Sequence, residues 1–289
     1  MNKKVIHKMI GIATFIAICI AICFVVDQTS IGRVSGPTTY GEYEKQKAAF
    51  DEGDSLDVSA MESENDAAVR EAELEKKELT KTAFLTFDDG PSANTEKVLD
   101  ILDEYGIKAT FFMVAEEITP DREALVKRMV KEGHIVGIHT YDHNYKKIYR
   151  SKASCLEDII KTGDRIAEIT GAQPTYYRFP YGSANCYMSG FCNDIITDLN
   201  NRNIQYIDWN VSGEDAIGTP TSRSILKNIS SFDKYMEPVI LLHDGKTNKL
   251  TVKVLPKIIE KIKAAGYQFG TIDKRSKPYQ WSHGWKKKK

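Results

Sequence analysis

Residues Lys81–Val114 read KTAFLTFDDGPSANTEKVLDILDEYGIKATFFMV, and this stretch decides how the rest of the chain is interpreted. AFLTFD is a short apolar run rich in aromatics, which suits a buried strand. Gly90-Pro91 marks a turn, TEKVLDILDEYG carries a helical pattern closed by Gly106, and ATFFMV reads as a second strand. Strand, helix and strand in succession form the unit of a parallel sheet, whose neighbours need a long crossover. The same stretch poses a question. Asp88 and Asp89 stand side by side where a buried strand ends, yet adjacent anions repel and burial raises the cost of each charge. Either a positive group lies nearby or the pair is exposed for a purpose.

The alternation continues outward from this unit. Five further strand candidates are HIVGIH, TYYRF, IQYIDWN, VILLH and YQFGTI, which makes seven in all. Helical patterns fill the intervals: DREALVKRMVKEG, CLEDIIKTGDRIAEITG, DIITDLNNRN, SRSILKNI and VKVLPKIIEKIKAAG. The expectation is an α/β fold with a parallel sheet, open or closed as a barrel, over residues 81–275. Unusual polar residues fall at strand C-terminal ends: Asp88-Asp89, His139, Arg178, Asp208 and His243. In parallel α/β folds the loops leaving that rim build the site, so residues distant in sequence should converge there.

The 289 residues hold 40 Lys and Arg against 40 Asp and Glu. With no net charge there is no global field to draw the chain to nucleic acid, and no nucleic-acid partner is expected. Residues 1–8 carry Lys3, Lys4 and Lys8 ahead of the uncharged apolar run Met9–Val26. That run is just long enough for a single membrane-spanning helix. The positive flank predicts a cytoplasmic start and the remainder of the chain outside the cell membrane. No clear A-x-A site follows, which favours an uncleaved anchor over a signal peptide. Residues 27–80 read as a polar linker or stalk, and residues 276–289, ending in Lys286–Lys289, as a basic tail. Of five cysteines, Cys19 and Cys23 lie in the apolar run; Cys186 and Cys192 share a short loop and are candidates for a disulfide, with Cys155 left over.

HTYDH places His139 and His143 four residues apart directly after a strand, a spacing that lets two imidazoles share a metal ion. The whole chain has only six histidines, and this pair follows a strand whose neighbours end in carboxylates. One Asp of the pair completes a His2Asp set with positions open for water and substrate. The other Asp can then remain a base beside the cation, which would relieve their repulsion and acidify water.

Taken together, TFDDGP, HTYDH, RFPYG and LLHD, in this order and spacing, resemble the polysaccharide deacetylase family, whose catalytic module is the NodB homology domain of carbohydrate esterase family 4. The resemblance covers about Thr82 to Asp273. It implies a distorted (β/α) barrel with fewer than eight strands, preceded here by the transmembrane helix and polar linker. It assigns Asp88 as general base, Asp89 with His139 and His143 as metal ligands, and Arg178 as the residue orienting the base. Tyr181 would offer its backbone N–H to an oxyanion, and His243 would be the general acid. The family commonly pairs that His with an Asp followed by Trp. Here Asp215 is followed by Ala216, while Asp208 precedes Trp209, so Asp215 is expected as the partner with Asp208 as the alternative.

The implied activity is metal-dependent N-deacetylation, with Zn²⁺ first and Co²⁺, Ni²⁺ or Mn²⁺ as alternatives. An anchored domain on a stalk points to peptidoglycan N-acetylglucosamine as substrate. Chitin-type oligosaccharide, poly-N-acetylglucosamine, N-acetylmuramic acid and acetyl-xylan are the alternatives, and a non-catalytic glycan-binding protein on the same fold is the rival from another class.

Overall fold

Strand β1 (Thr82–Gly90) is the axis of the structure, a computed structural model that describes residues 80–188 and 190–282. Strand alternation gives it two faces. Ala83, Leu85 and Phe87 join the large apolar core shared with the helices. Phe84 joins a smaller cluster with Phe112, Ile207, Val239 and Ile272, and Thr86 and Asp88 follow it along the same face. Both faces are buried, which explains an almost continuous apolar run where a half-exposed strand would alternate. Each fully buried Phe contributes about 1.5–3 kcal/mol relative to an exposed ring.

The elements follow in the expected rhythm: α1 (Ala93–Glu104), β2 (Thr110–Val114), α2 (Glu123–Lys131), β3 (Ile135–Thr140), the short α3 (Tyr145–Ile148), α4 (Lys152–Thr170) and β4 (Tyr176–Tyr177). Then come α5 (Cys192–Asn201), β5 (Gln205–Tyr206), β6 (Val211–Ser212), α6 (Ser222–Ile229), β7 (Val239–His243), α7 (Lys249–Ala264) and β8 (Gln268–Phe269). All pairings are parallel, in the order β5-β4-β3-β2-β1-β7-β6, with β8 added to β1 at Thr82 and Ala83. This is the distorted barrel, with seven strands along the main path.

IQYIDWN departs from the expectation of one strand. It supplies β5 at one edge of the sheet and leads to β6 at the other. Between them, Ile207 N–H donates to Tyr177 on β4 and Asn210 N–H to Val239 on β7, so these four residues span the barrel's opening. The crossing is possible because a second segment supplies missing partners. Asp208 N–H donates to the Tyr279 carbonyl, and Gln280 Nε2 donates to the Tyr206 carbonyl. Residues 276–282, read from sequence as the start of a tail, therefore pack on the barrel.

Among the described residues no helix is long and apolar enough to cross a membrane. The apolar run 9–26, the stalk to residue 79, and the lysines at 286–289 lie outside the described residues. Cys186 and Cys192 are not bonded: Cys186 is exposed while Cys192 is buried in the first turn of α5, its Sγ 3.5 Å from the Ser183 carbonyl. Cys155 is buried and free as well.

Candidate active site

The adjacent carboxylates are explained by a fault in the sheet. In the β1–β2 register Asp88 faces Phe112 and Gly90 faces Met113, leaving Asp89 as the extra residue of a bulge, with φ of 74°. A regular strand would point neighbouring side chains to opposite faces; a bulge re-aims one of them. The same device occurs on β3. Met113 pairs with Ile138 and Val114 with Thr140, so His139 is the unpaired residue. His143, with φ of 53°, follows in the loop. The sequence marks these residues but not the bulges that turn them.

The result is a cluster. Asp89 Oδ1 lies 3.5 Å from Nε2 of both His139 and His143, and the three ligand atoms fall within 4.8 Å of one another. Asp89 Oδ1 is buried without a hydrogen-bond partner among the described residues. Bonds of about 2.1 Å in a tetrahedral set separate ligand atoms by about 3.4 Å, so this donor set fits a divalent ion. His139 is prepared for the role. Its Nδ1–H donates to the Arg178 carbonyl at 2.8 Å, which leaves the Nε2 lone pair facing Asp89. Burial also pushes the ring's pKa down and keeps it neutral.

Asp88 is held differently. Its Oδ1 accepts from Arg178 Nη1 at 2.9 Å, and Oδ2 accepts no hydrogen bond among the described residues. Arg178 is completely buried, yet every side of it is answered. Nη1 also donates to Thr86 Oγ1, Nε to the Ile207 carbonyl and Nη2 to the Asp208 carbonyl, while the Phe112 ring lies 4.3 Å below the guanidinium carbon. Removing one partner of such a pair costs about 3–5 kcal/mol because the other is left buried and unpaired.

His243 is the register partner of Asp88 across β1 and β7. Its Nδ1 lies 2.8 Å from Asp215 Oδ1, which decides between the two expected partners. Asp215 Oδ2 accepts from the His243 N–H at 2.8 Å and Thr251 Oγ1 at 2.6 Å, so backbone and side chain of His243 are gripped together. Burial alone would push the imidazole down; the hydrogen bond and charge of Asp215, with Asp88 and Asp89 beyond, override it and push it up to about 9. His243 is therefore an imidazolium at neutral pH.

Asp208 has a different task. Its Oδ1 accepts from Ser183 N–H at 2.9 Å and its Oδ2 from Ser183 Oγ at 2.5 Å and Trp281 N–H at 2.8 Å. It thus ties the loop after Tyr181 to the C-terminal segment. Trp281 Nε1 donates to the Trp209 carbonyl, and a Cβ on Gly182 would lie 2.3 Å from the Trp281 ring. Tyr181 itself has φ of 67°, and its N–H finds no acceptor among the described residues.

Two carboxylates that sequence reasoning left without a role also belong here. Asp244 is wholly buried behind Gly90, its Oδ2 accepting from Thr95 Oγ1 and its Oδ1 unpartnered among the described residues. Burial, with the Asp89 and Asp88 charges adding, pushes it up to about 7. Its place inside LLHD was the available signal. Asp158 on α4 accepts from the Tyr141 N–H with both oxygens and supports the loop between the two histidines; nothing in the sequence marked it. His134 is structural: its Nδ1 accepts from the Ala109 N–H at 3.0 Å, and burial pushes it down to about 4.

With this geometry established, comparison with known proteins adds a family. The model of the polysaccharide deacetylase family matches residues 75–198. The Bacillus subtilis protein YheN, provisionally named a polysaccharide deacetylase, is 35% identical over 198 residues, 67% of this chain and 67% of that protein. A Bacillus cereus peptidoglycan-N-acetylglucosamine deacetylase is 32% identical over 203 residues, 68% of this chain and 71% of that one. Among solved structures, the catalytic domain of a peptidoglycan N-acetylglucosamine deacetylase from Eubacterium rectale aligns with a TM-score of 0.65 at 34% identity, covering 70% of this chain and 93% of that domain.

Proposed function

The chain belongs to the polysaccharide deacetylase family, and we propose that it hydrolyses the N-acetyl group of peptidoglycan N-acetylglucosamine, releasing acetate, with a divalent cation held by Asp89, His139 and His143. Two similar proteins carry that substrate in their names, which is why peptidoglycan is preferred to chitin-type, poly-N-acetylglucosamine or xylan substrates. The single observation that carries the reading is the pairing across β1 and β7. An anion, Asp88, and a cation, His243, sit at the same level on neighbouring strands beside the candidate metal ligands.

When bound, the cation would polarise the acetyl carbonyl and lower the pKa of water. Asp88 Oδ2, left open while Arg178 holds Oδ1, accepts a proton from the attacking water. The Tyr181 N–H, without an acceptor among the described residues, donates to the oxyanion that forms, a contribution of about 3 kcal/mol for a single donor. The C–N bond then breaks as His243 Nε2–H gives its proton to the amine, while Nδ1–H remains on Asp215 Oδ1. Acid and base coexist beside opposite partners: Arg178 Nη1 donates to Asp88 Oδ1, and Asp215 Oδ1 holds the His243 Nδ1–H. We further propose that residues 9–26 anchor the chain in the cell membrane with the barrel outside, next to the polymer.

Acetate release from purified peptidoglycan by the Zn²⁺- or Co²⁺-loaded protein, before and after Asp88→Asn, tests the reading. Release is expected from the unaltered protein, with near-complete loss in the variant while metal stays bound. Full activity in Asp88→Asn would discard the base; glycan binding without acetate at saturating metal would leave a binding protein.

A further inference from the structure

Beside the candidate metal ligands, tyrosines form a continuous surface. The Tyr181 ring meets His143 at 5.4 Å between centroids, Tyr187 lies 6.1 Å beyond Tyr181, and Tyr145 closes the group at 4.8 Å from Tyr187. Tyr181 is 51% exposed and Tyr187 45% exposed, among the few large apolar side chains so open to solvent within the described residues. None of the three hydroxyls has a hydrogen-bond partner among the described residues.

The surface is braced from beneath although it is exposed. Tyr149, buried beneath, runs parallel to Tyr187 at 6.1 Å and 7°, and its hydroxyl donates to the Pro180 carbonyl at 2.8 Å. Asn185 gathers the same loop: Nδ2 donates to the Gly182 carbonyl at 2.7 Å, and Oδ1 accepts from the Tyr187 N–H at 3.1 Å. Tyr145 opens helix α3, whose N-cap is Asn144. Side chains held by neighbouring packing have less entropy to lose when a ligand arrives.

We propose that Tyr145 and Tyr187 form a stacking subsite for the pyranose next to the one being deacetylated; this inference rests on the deacetylase reading above. A pyranose offers an apolar C–H face rimmed by hydroxyls, and a tyrosine offers an apolar ring with one polar tip. The surface is continuous with the site through Tyr181 and His143, so a glycan whose acetyl group reaches Asp88 and His243 carries its neighbouring ring across these tyrosines. The subsite makes the protein selective for a polymer over a free sugar.

The experiment compares the metal-loaded protein with its Tyr145→Ala, Tyr187→Ala and Tyr187→Trp variants. Acetate release is measured on N-acetylglucosamine and on its β-1,4-linked tetramer, and tetramer binding is measured by calorimetry with each change placed in an Asp88→Asn background. Each alanine should raise the tetramer KM and weaken its binding by roughly 2- to 12-fold, the range for aromatic stacking. The monosaccharide kinetics should be unchanged, and Tyr187→Trp should restore the tetramer. Equal tetramer KM and affinity in all variants, with acetate still released, would reject the subsite and keep the deacetylase. A protein that releases no acetate yet loses tetramer affinity in Tyr187→Ala would do the reverse. Loss on both substrates alike would also reject the subsite, as damage to the site itself.

Discussion

Replacing Asp215 by Asn isolates the acid half of the site. In the folded chain burial pushes His243 down, but the Asp215 hydrogen bond and charge overcome it and carry the imidazole from 6.5 up to about 9. At 1.36 kcal/mol per pKa unit the difference amounts to roughly 3 kcal/mol in favour of the imidazolium. The His243 side chain is only 15% exposed, so solvent does little to screen this. The carboxamide preserves an acceptor for Nδ1–H but removes the charge, and burial, the largest of the effects, is then opposed only by the more distant charges of Asp88 and Asp89. The imidazole should fall to 6.5 or below, so that at pH 7.5 about one molecule in ten or fewer carries the proton, against nearly all in the wild type. The expected result is at least a tenfold loss of kcat/KM at pH 7.5 and a basic limb displaced downward by about two pH units. A cation at Asp89 lowers both limbs, so the comparison is made between two metal-loaded proteins. Acetate release from N-acetylglucosamine oligomers across pH 5.5–10 provides the profile, and the histidine C–H resonances give the titration independently. The carboxamide also turns a donor toward the His243 N–H, costing about 1–3 kcal/mol of stability, so the Tm is recorded alongside. A folded Asp215→Asn protein with an unmoved basic limb would refute the assignment of His243 as the acid.

Three further outcomes follow from the same geometry. Asp244 keeps its proton in the fold up to about 7, whereas an unfolded chain releases it near 3.8, so stability is full below 3.8 and falls as the pH rises toward 7. In chelator-treated protein Asp244→Asn should therefore raise the Tm at pH 8, by up to roughly 4 kcal/mol of stability, and leave it unchanged near pH 4; an equal effect at both would contradict the buried, protonated carboxyl. Gly182→Ala forces a methyl into the Trp281 ring at a φ of 80°. It should lower kcat by about 10²-fold, the value of one oxyanion donor, more than it changes KM; unchanged kcat would detach that loop from catalysis. Zn²⁺ at about 100 times its Kd should stabilise the protein by about 2.7 kcal/mol, read as a rise in Tm, and His139→Ala should abolish that rise. A comparable rise in the variant would place the ion elsewhere.

The order of elements was legible because each strand and helix declares itself locally. AFLTFD, ATFFMV and VILLH are apolar on both faces, and Gly106, Gly133 and Gly171 close the patterns between them. The path of IQYIDWN was not legible. A two-residue strand at each end carries no periodicity, and the hydrogen bonds that satisfy the crossing come from Tyr279 and Gln280, some seventy residues away. The residues of the site were legible as types at strand ends, while their directions were not. Asp89 and His139 face one another because each is the extra residue in a bulge, and a bulge exists only in the register between two strands. Asp208 shows the same limit from the other side. The sequence offered it as a partner for His243; in the fold it braces the loop after Tyr181 through Ser183 and Trp281.

The question posed by two adjacent carboxylates resolves into an account of charge. Asp88 is answered by the buried guanidinium of Arg178, and Asp215 by the imidazolium of His243. Asp244 is the buried acid that holds its proton. Asp89 is left with two imidazoles at 3.5 Å, of which His139 is kept neutral by burial, and with a buried oxygen that accepts no hydrogen bond among the described residues. A carboxylate oxygen that faces two imidazole nitrogens and accepts no hydrogen bond is costly when alone and favourable around a cation. That imbalance is the physical ground for placing the ion at Asp89, and it predicts that Asp89→Asn, which removes the charge at nearly constant shape, stabilises the chelated protein while weakening its affinity for Zn²⁺. Equal Zn²⁺ affinity in Asp89→Asn and wild type, measured by competition with a chromophoric chelator, would show that the charge was balanced by something other than a metal.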